Sequence, residues 1–270
     1  MKIGVAGLGL MGGSLALALR GRHDLSGYDI SREARDAASA AGIATVERLE
    51  ALLPADAVIV ATPLGAVLPT LAALAERRSG AVLMDTASVR APVDAFAREH
   101  GGAPMVGLHP MAGRSGRGFA IADPALLLGR PFLVVPTATS TTASLEVAGR
   151  VVRDAGGVAT VCSAPEHDRI VALVSALPLA LAAALTVAAA DGVSDLATFA
   201  GPGFRDTTRV ATTPAELAET ILLANSGNVV AALARLRTVL DDLERAIAER
   251  DASGLREILA KAAATRTALG

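Results

Sequence analysis

Residues 2–12, Lys2-Ile3-Gly4-Val5-Ala6-Gly7-Leu8-Gly9-Leu10-Met11-Gly12, set the fold class. An apolar run, Ile3–Ala6, ends in Gly7-x-Gly9-x-x-Gly12, and helix formers follow over Met11–Arg20. Strand, glycine turn and helix in that order form the first unit of a dinucleotide-binding sheet. Gly7 permits the tight turn, Gly9 admits a pyrophosphate close to the backbone, and Gly12 lets helix and strand pack closely. The pyrophosphate would rest on helix N–H groups, with Leu10 and Met11 among the loop residues, at the positive end of the helix dipole. Asp29 ends the second candidate strand, about twenty residues on, where a carboxylate takes ribose hydroxyls. That charge repels a 2′-phosphate, so the expected cofactor is NAD; Arg32, three residues later, leaves NADP open.

Outward from this unit, short apolar runs alternate with helical segments, the pattern of a parallel sheet with crossovers. Candidate strands are Lys2–Ala6, Leu25–Tyr28, Ala57–Ala61, Ala81–Met84, Met105–Leu108, Phe132–Val135 and a last one at Val158–Cys162. Candidate helices are Met11–Arg20, Ser31–Ala41, Val67–Arg78 and Val89–Glu99. Several strands run straight into Asp29, Thr62-Pro63, Asp85-Thr86 and His109-Pro110. An open α/β sheet binds ligands at that edge, and Thr62 and Pro63 are assigned to the cofactor there. From Ser163 the alternation stops. Helices are expected over Pro165–Ala190, around Ala197, and over Pro214–Ser226, Val229–Arg250 and Ala252–Ala268, with breaks at Gly192, Gly201-Pro202-Gly203, Gly227 and Gly254. The expected fold is α/β: a Rossmann-type parallel-sheet domain over 1–163, then an all-helical domain over 164–270.

Composition narrows the function. Hydrophobic residues make up 52% and aromatics 2%, so the core is built of Ala, Leu and Val. A net charge of −2 offers no basic field for nucleic acid or an anionic membrane. The single cysteine, Cys162, rules out an internal disulfide and a Cys-based zinc site, and reads as a small buried residue. No clustered ligand pattern accompanies the histidines, so no metal is expected. Lys2 and Lys261 are the only lysines. Met1–Leu19 begins like a signal peptide, yet Gly4, Gly7, Gly9, Gly12 and Gly13 interrupt its apolar run, and a cytoplasmic start is expected. Ile170–Ala190 is span-length, but rich in Ala and holding Pro178, so it reads as a helix buried on all sides or at a subunit interface. An apolar helical domain of this kind suits dimerisation.

Four side chains carry candidate chemistry. His109 sits between an apolar strand and Pro110 on the ligand edge, where a near-neutral imidazole can accept a hydroxyl proton. Ser88, after Asp85-Thr86-Ala87, can bond a substrate hydroxyl and an imidazole, or cap a helix starting at Val89. Arg205 and Arg209, in Gly201-Pro-Gly-Phe-Arg-Asp-Thr-Thr-Arg209, can clamp a carboxylate or pair with Asp206. His23 and His100 lie in polar connections and read as surface residues.

These residues resemble the prephenate/arogenate dehydrogenase family of tyrosine biosynthesis. The matches run in order: residues 7–14, Ala61-Thr62-Pro63, Asp85-Thr-Ala-Ser-Val-Arg90, Gly107-Leu-His-Pro-Met-Ala-Gly113, His167-Asp168, Ser175-Ala-Leu-Pro178, Gly203-Phe-Arg-Asp-Thr-Thr-Arg209 and Asn225. The resemblance implies oxidative decarboxylation of prephenate to 4-hydroxyphenylpyruvate, or of arogenate to tyrosine, by a dimer joined through its helical domain. It assigns proton acceptance to His109 supported by Ser88, and a substrate carboxylate to Arg209, with Arg205 the weaker candidate. The chain departs from the family at Ala87 and Arg90, where Gly and Lys are frequent. It departs again at Ala176 and Leu179, where histidines are common, and at Arg114-Ser115-Gly116, where an acidic residue is common. Two other readings compete. A 3-hydroxyacid dehydrogenase needs a helix-borne lysine, which this chain lacks between residues 2 and 261. A non-catalytic NAD-binding dimeric regulator would have no need of His109, Ser88 and Arg209.

Overall fold

The strand Lys2–Ala6 (β1) is buried on both faces from Ile3 onward and lies between two parallel neighbours, Asp24–Tyr28 (β2) and Ala57–Val60 (β4). Unbroken apolar runs such as Ala57-Val58-Ile59-Val60 suit this position, since a strand covered on both faces has no polar side to alternate with. Each such Val or Ile contributes about 1.5–3 kcal/mol on burial. The computed structural model describes residues 1–114 and 116–269. Among them a single sheet contains eight strands in the order β3-β2-β1-β4-β5-β6-β7-β8. The remaining strands are Ala44–Thr45 (β3), Val82–Asp85 (β5), Met105–Pro110 (β6), Pro131–Pro136 (β7) and Val158–Val161 (β8). The order reverses between β1 and β4, which opens the crevice where doubly wound sheets hold ligands.

The helices Leu10–Leu19 (α1), Arg32–Ala40 (α2), Leu64–Ala75 (α3) and Ala91–Glu99 (α4) lie close to their sequence-predicted positions. A further helix, Thr142–Asp154 (α5), fills a stretch to which the sequence reading assigns no element. Its start is fixed locally by a capping box in which Thr141 accepts the Ser144 N–H while Ser144 Oγ accepts the Thr141 N–H.

The sheet is not all parallel. β7 runs antiparallel to β6, with His109 opposite Leu133, and β8 then pairs parallel to β7. An antiparallel return needs no crossover helix. Among its described residues the connection from Met111 to Arg130 therefore holds only short 3₁₀ turns, at Phe119–Ile121 and Pro124–Leu127. It packs on α1: the Asp123 N–H donates to Ser14 Oγ at 2.9 Å, and a Cβ on Gly13 would meet Phe119 and Ala122. Arg114 pairs with Asp123 inside this loop; the departure expected at Arg114-Ser115-Gly116 falls partly on Ser115, which lies outside the described residues.

The chain forms two compact units. The first contains Met1–Val171 with Thr213–Ala224, and the second contains Ala172–Thr212 with Asn225 onward. The first compact unit extends to Val171 because the helix Ala164–Val171 (α6) joins the sheet, where Ala164 and Val171 pack with Leu133, Val135 and Cys162. The second unit is helical: Leu177–Gly192 (α7), Leu196–Phe199 (α8), Pro202–Thr208 (α9), Ser226–Ala248 (α11) and Ala252–Ala268 (α12), with Ala215–Ala224 (α10) assigned to the first unit. α6 and α7 join through a π turn at Ala172–Ala176. Pro178 lacks the N–H that would bond the Val174 carbonyl, and the helix widens just before it. The whole run Ala164–Gly192 is long and apolar enough to cross a membrane by composition, but its most apolar window is only 28% buried. Of the two expectations for this helix, burial on all sides within one chain is therefore corrected, since most residues of that window are not buried, and the subunit-interface alternative stands.

Candidate active site

The cofactor loop is built by backbone. Gly7 sits at φ +93°, and a Cβ there would lie 2.6 Å from the Ala61 carbonyl oxygen. A Cβ on Gly12 would overlap the Gly7 carbonyl, whereas the space beside Gly9 is open. α1 begins after Gly9 with no side-chain cap, so its leading N–H groups remain for a ligand. Asp29 is oriented at the end of β2, its Oδ2 accepting the Leu8 N–H at 2.7 Å and its Oδ1 the Ser31 N–H at 2.8 Å. Leu8, Gly9, Asp29 and Ser31 line a cleft of about 400 Å³, faced by Arg117 and Phe119 of the loop after β6. At the end of β4, Thr62 Oγ1 is buried without a hydrogen-bond partner, and Pro63 leads into α3. An uncapped helix start, an oriented carboxylate and an orphaned hydroxyl fit a dinucleotide.

The His109 site is built by side chains. His109 ends β6 half-buried, and its Nδ1 lies 2.8 Å from Nε2 of His167. His167, wholly buried in α6, places its Nδ1 2.8 Å from Asp168 Oδ1. Asp168 in turn accepts the N–H of Arg90 at 2.7 Å and of Ala91 at 2.9 Å, capping α4 from a distant point in the chain. Burial pushes the Asp168 carboxyl up, but the bonds from His167 and from those two backbone N–H groups outweigh it and hold it below the usual range. His109 is pushed down to about 3, by burial first, then by His167 and Arg90, with Asp168 opposing. An imidazole so shifted stays unprotonated at neutral pH and is free to act as a base.

Arg90, 1% exposed, donates through both terminal nitrogens to Asp85, with Nη2 to Oδ2 at 2.9 Å. Its guanidinium fills the space over Gly107, where a Cβ would come within 2.5 Å of Cζ. In the second unit, the Arg209 guanidinium is exposed and makes no hydrogen bond or ion pair with described residues.

Residues 15–161 match the family model described as prephenate dehydrogenase, nucleotide-binding domain, and residues 163–261 match its dimerization domain. The chain belongs to the prephenate dehydrogenase family. A cyclohexadienyl dehydrogenase of Zymomonas mobilis is 28% identical, the alignment covering 99% of this chain and 95% of that protein. The crystal structure of a Synechocystis arogenate dehydrogenase is similar at TM-score 0.88 and 30% identity, covering 100% of both chains. That of a prephenate dehydrogenase from A. aeolicus, in complex with hydroxyphenyl propionate and NAD+, is similar at TM-score 0.91 and 28% identity, covering 100% of this chain and 99% of that one. The glycine loop lies just ahead of the matched residues, so its own geometry carries the cofactor assignment.

As a prephenate dehydrogenase family member, the chain holds some sequence-assigned residues differently from expectation. Ser88 was expected to support His109 or to cap a helix at Val89; it makes no hydrogen bond with described residues, and α4 starts at Ala91. His167 supports the imidazole instead, and Asp168 supplies the cap. His167 and Asp168 carried no assigned role in the sequence, although an adjacent His-Asp pair at the start of an apolar helix is a legible sign of a buried polar pair. Arg205 spends its guanidinium on the end of α8, Nε to the Ala200 carbonyl at 3.0 Å and Nη2 to Ala197 at 3.3 Å. Asp206 forms no ion pair with either arginine among the described residues. The departure Lys-to-Arg at position 90 is met by the bidentate bond to Asp85, which a lysine cannot make. His23 is not a surface residue: its side chain is 5% exposed and Nε2 lies 2.9 Å from Asp154. Cys162 is buried as expected.

Proposed function

We propose that the chain oxidatively decarboxylates prephenate to 4-hydroxyphenylpyruvate with NAD, in tyrosine biosynthesis. The observation that carries the reading is His109, held unprotonated at the ligand edge of a dinucleotide-type sheet and joined to a buried His-Asp pair. Bound NAD supplies a hydride acceptor for ring C4. His109 takes the proton of the C4 hydroxyl, and Ser88, with its hydroxyl uncommitted, bonds the same oxygen. Loss of the ring carboxylate as CO2 leaves the ring aromatic. Arg209, with a free guanidinium, holds a substrate carboxylate; Arg205 is committed to α8 and is the weaker candidate. Gly7, Gly9, Leu10, Met11 and Gly12 receive the pyrophosphate, Asp29 the ribose, and Thr62 and Pro63 line the nicotinamide end.

Arogenate is the second reading, favoured by the Synechocystis likeness and by Ala176 and Leu179, buried where the family commonly has histidines. A homodimer through the helical domain is supported by exposed apolar side chains, among them Val174, Leu185, Val187, Phe199 and Ile247. We place the enzyme in the cytoplasm, in keeping with one free thiol and no disulfide. The test is a spectrophotometric assay with both substrates and both cofactors. Reduction of NAD with prephenate is expected; no turnover in any of the four combinations overturns the reading.

A further inference from the structure

We propose that His167 and Asp168 are positioning residues that dictate which ring nitrogen of His109 carries the proton, leaving Nε2 as the basic atom. The inference rests on the assignment of His109 as the proton acceptor.

The argument runs from the fixed end of the chain to the free end. The Asp168 carboxylate is pinned by two backbone donors at the start of α4, the N–H groups of Arg90 and Ala91. A carboxylate only accepts, so the 2.8 Å bond from His167 Nδ1 to Oδ1 places the His167 proton on Nδ1. With one proton on that ring, Nε2 of His167 is an acceptor. Nδ1 of His109, 2.8 Å away, must then be the donor. With one proton on His109 as well, Nε2 is left bare, and it makes no hydrogen bond with described residues. The opposite polarity would need either a second proton on the wholly buried His167 ring or a proton on Asp168, a carboxylate already bonded to two backbone N–H groups. The order is therefore written by the anchor and transmitted through two rings. The wholly buried His167 excludes water that could otherwise satisfy His109 Nδ1 in either sense.

Replacing Asp168 with Asn tests this directly. With its oxygen at the Oδ2 position the Asn side chain still accepts the Ala91 N–H, and its NH2, at the Oδ1 position, gives up the Arg90 N–H bond and offers a donor to His167 Nδ1. The chain of bonds then reverses, and His109 carries its proton on Nε2. Ring ¹⁵N shifts of His109, in full-length protein labelled at histidine and assigned with His109→Asn, should report Nδ1–H in the wild type and Nε2–H in Asp168→Asn. Turnover should fall about 10²- to 10⁴-fold in kcat, with KM within about twofold. A second pair keeps the test open should Asp168→Asn fold poorly. His167→Gln can accept the His109 Nδ1–H through its side-chain oxygen and should keep the Nδ1–H form and more than a tenth of kcat, whereas His167→Leu should lose both. Nε2–H on His109 in the wild type overturns the proposal, as does an unchanged tautomer in both Asp168→Asn and His167→Leu. Because the tautomer is read without substrate, absence of turnover in the wild type would sink the functional reading and leave this one to be decided separately.

Discussion

The cofactor loop and the histidine site lie on one edge of one sheet, yet they are made of different material. At the end of β1 the working groups are backbone, a glycine at φ +93° and an uncapped helix start, and the neighbouring carboxylate of Asp29, at the end of β2, is itself held by two backbone N–H groups. At the end of β6 they are side chains: His109, His167 and Asp168 on one line of hydrogen bonds, with the buried Asp85–Arg90 pair beside it. A backbone site tolerates change in any side chain that does not collide with it. A side-chain site fails when one member is replaced, because the others are left buried and unpaired.

The variants that test this contrast differ in size. His109→Asn removes the base and should lower kcat by about 10²- to 10⁴-fold in steady-state assays while NAD binding by calorimetry stays within twofold. Because His109 is pushed down to about 3 from 6.5, its basic form is full at pH 6, and the acid limb of kcat/KM should fall well below 6.5. The same shift works on stability. The unfolded chain binds a proton at His109 that the folded chain refuses, so stability falls as pH drops below 6.5 toward 3, and His109→Asn should flatten that slope in thermal melts. An acid limb at 6.5 would contradict the buried setting of the ring.

Arg90→Ala leaves Asp85 buried and unpaired and should cost about 3–5 kcal/mol in denaturant unfolding. Loss of less than 1 kcal/mol would show that the pair is not structural. Arg209→Gln should raise KM for the substrate roughly 10- to 100-fold with kcat little changed; an unchanged KM removes Arg209 from substrate binding. Gly12→Ala, whose Cβ would collide with the Gly7 carbonyl, should cost about 1–3 kcal/mol of stability and weaken NAD binding roughly 5- to 150-fold. Gly9→Ala, beside open space, should keep its stability and lose only cofactor affinity.

Much of the sheet was legible because its signals are local. Apolar runs, a glycine turn and strand-end polar residues are each contained in a few consecutive positions, and the seven expected strands all formed; only the two-residue β3 was not anticipated. The direction of β7 was not legible, since an apolar run carries no sign of which way it will pair. The absence of a helix between Leu108 and Phe132 was the one indirect trace of an antiparallel return. α5 was hidden by Thr137–Thr142, a polar cluster that reads as a loop and serves as its cap. At the site, His109 stood out because strand, proline and sheet edge surround it in the chain. The support of His109 by His167 is not legible in the chain, because His167 lies 58 positions beyond His109, whereas Ser88 stands close to a strand end.

What the sequence determined by itself was the dinucleotide loop, the alternation that builds the sheet, the switch to helices, and the place of the proposed base at a strand end. These follow from periodicity and steric rules that act over a handful of neighbouring residues. Only the tertiary structure decided what holds the base. Residues 85, 90, 109, 167 and 168 meet because α6 packs on the sheet unit and α4 starts where Asp168 can cap it. Hydrogen bonds form between groups that burial brings within 3 Å, whatever their separation along the chain.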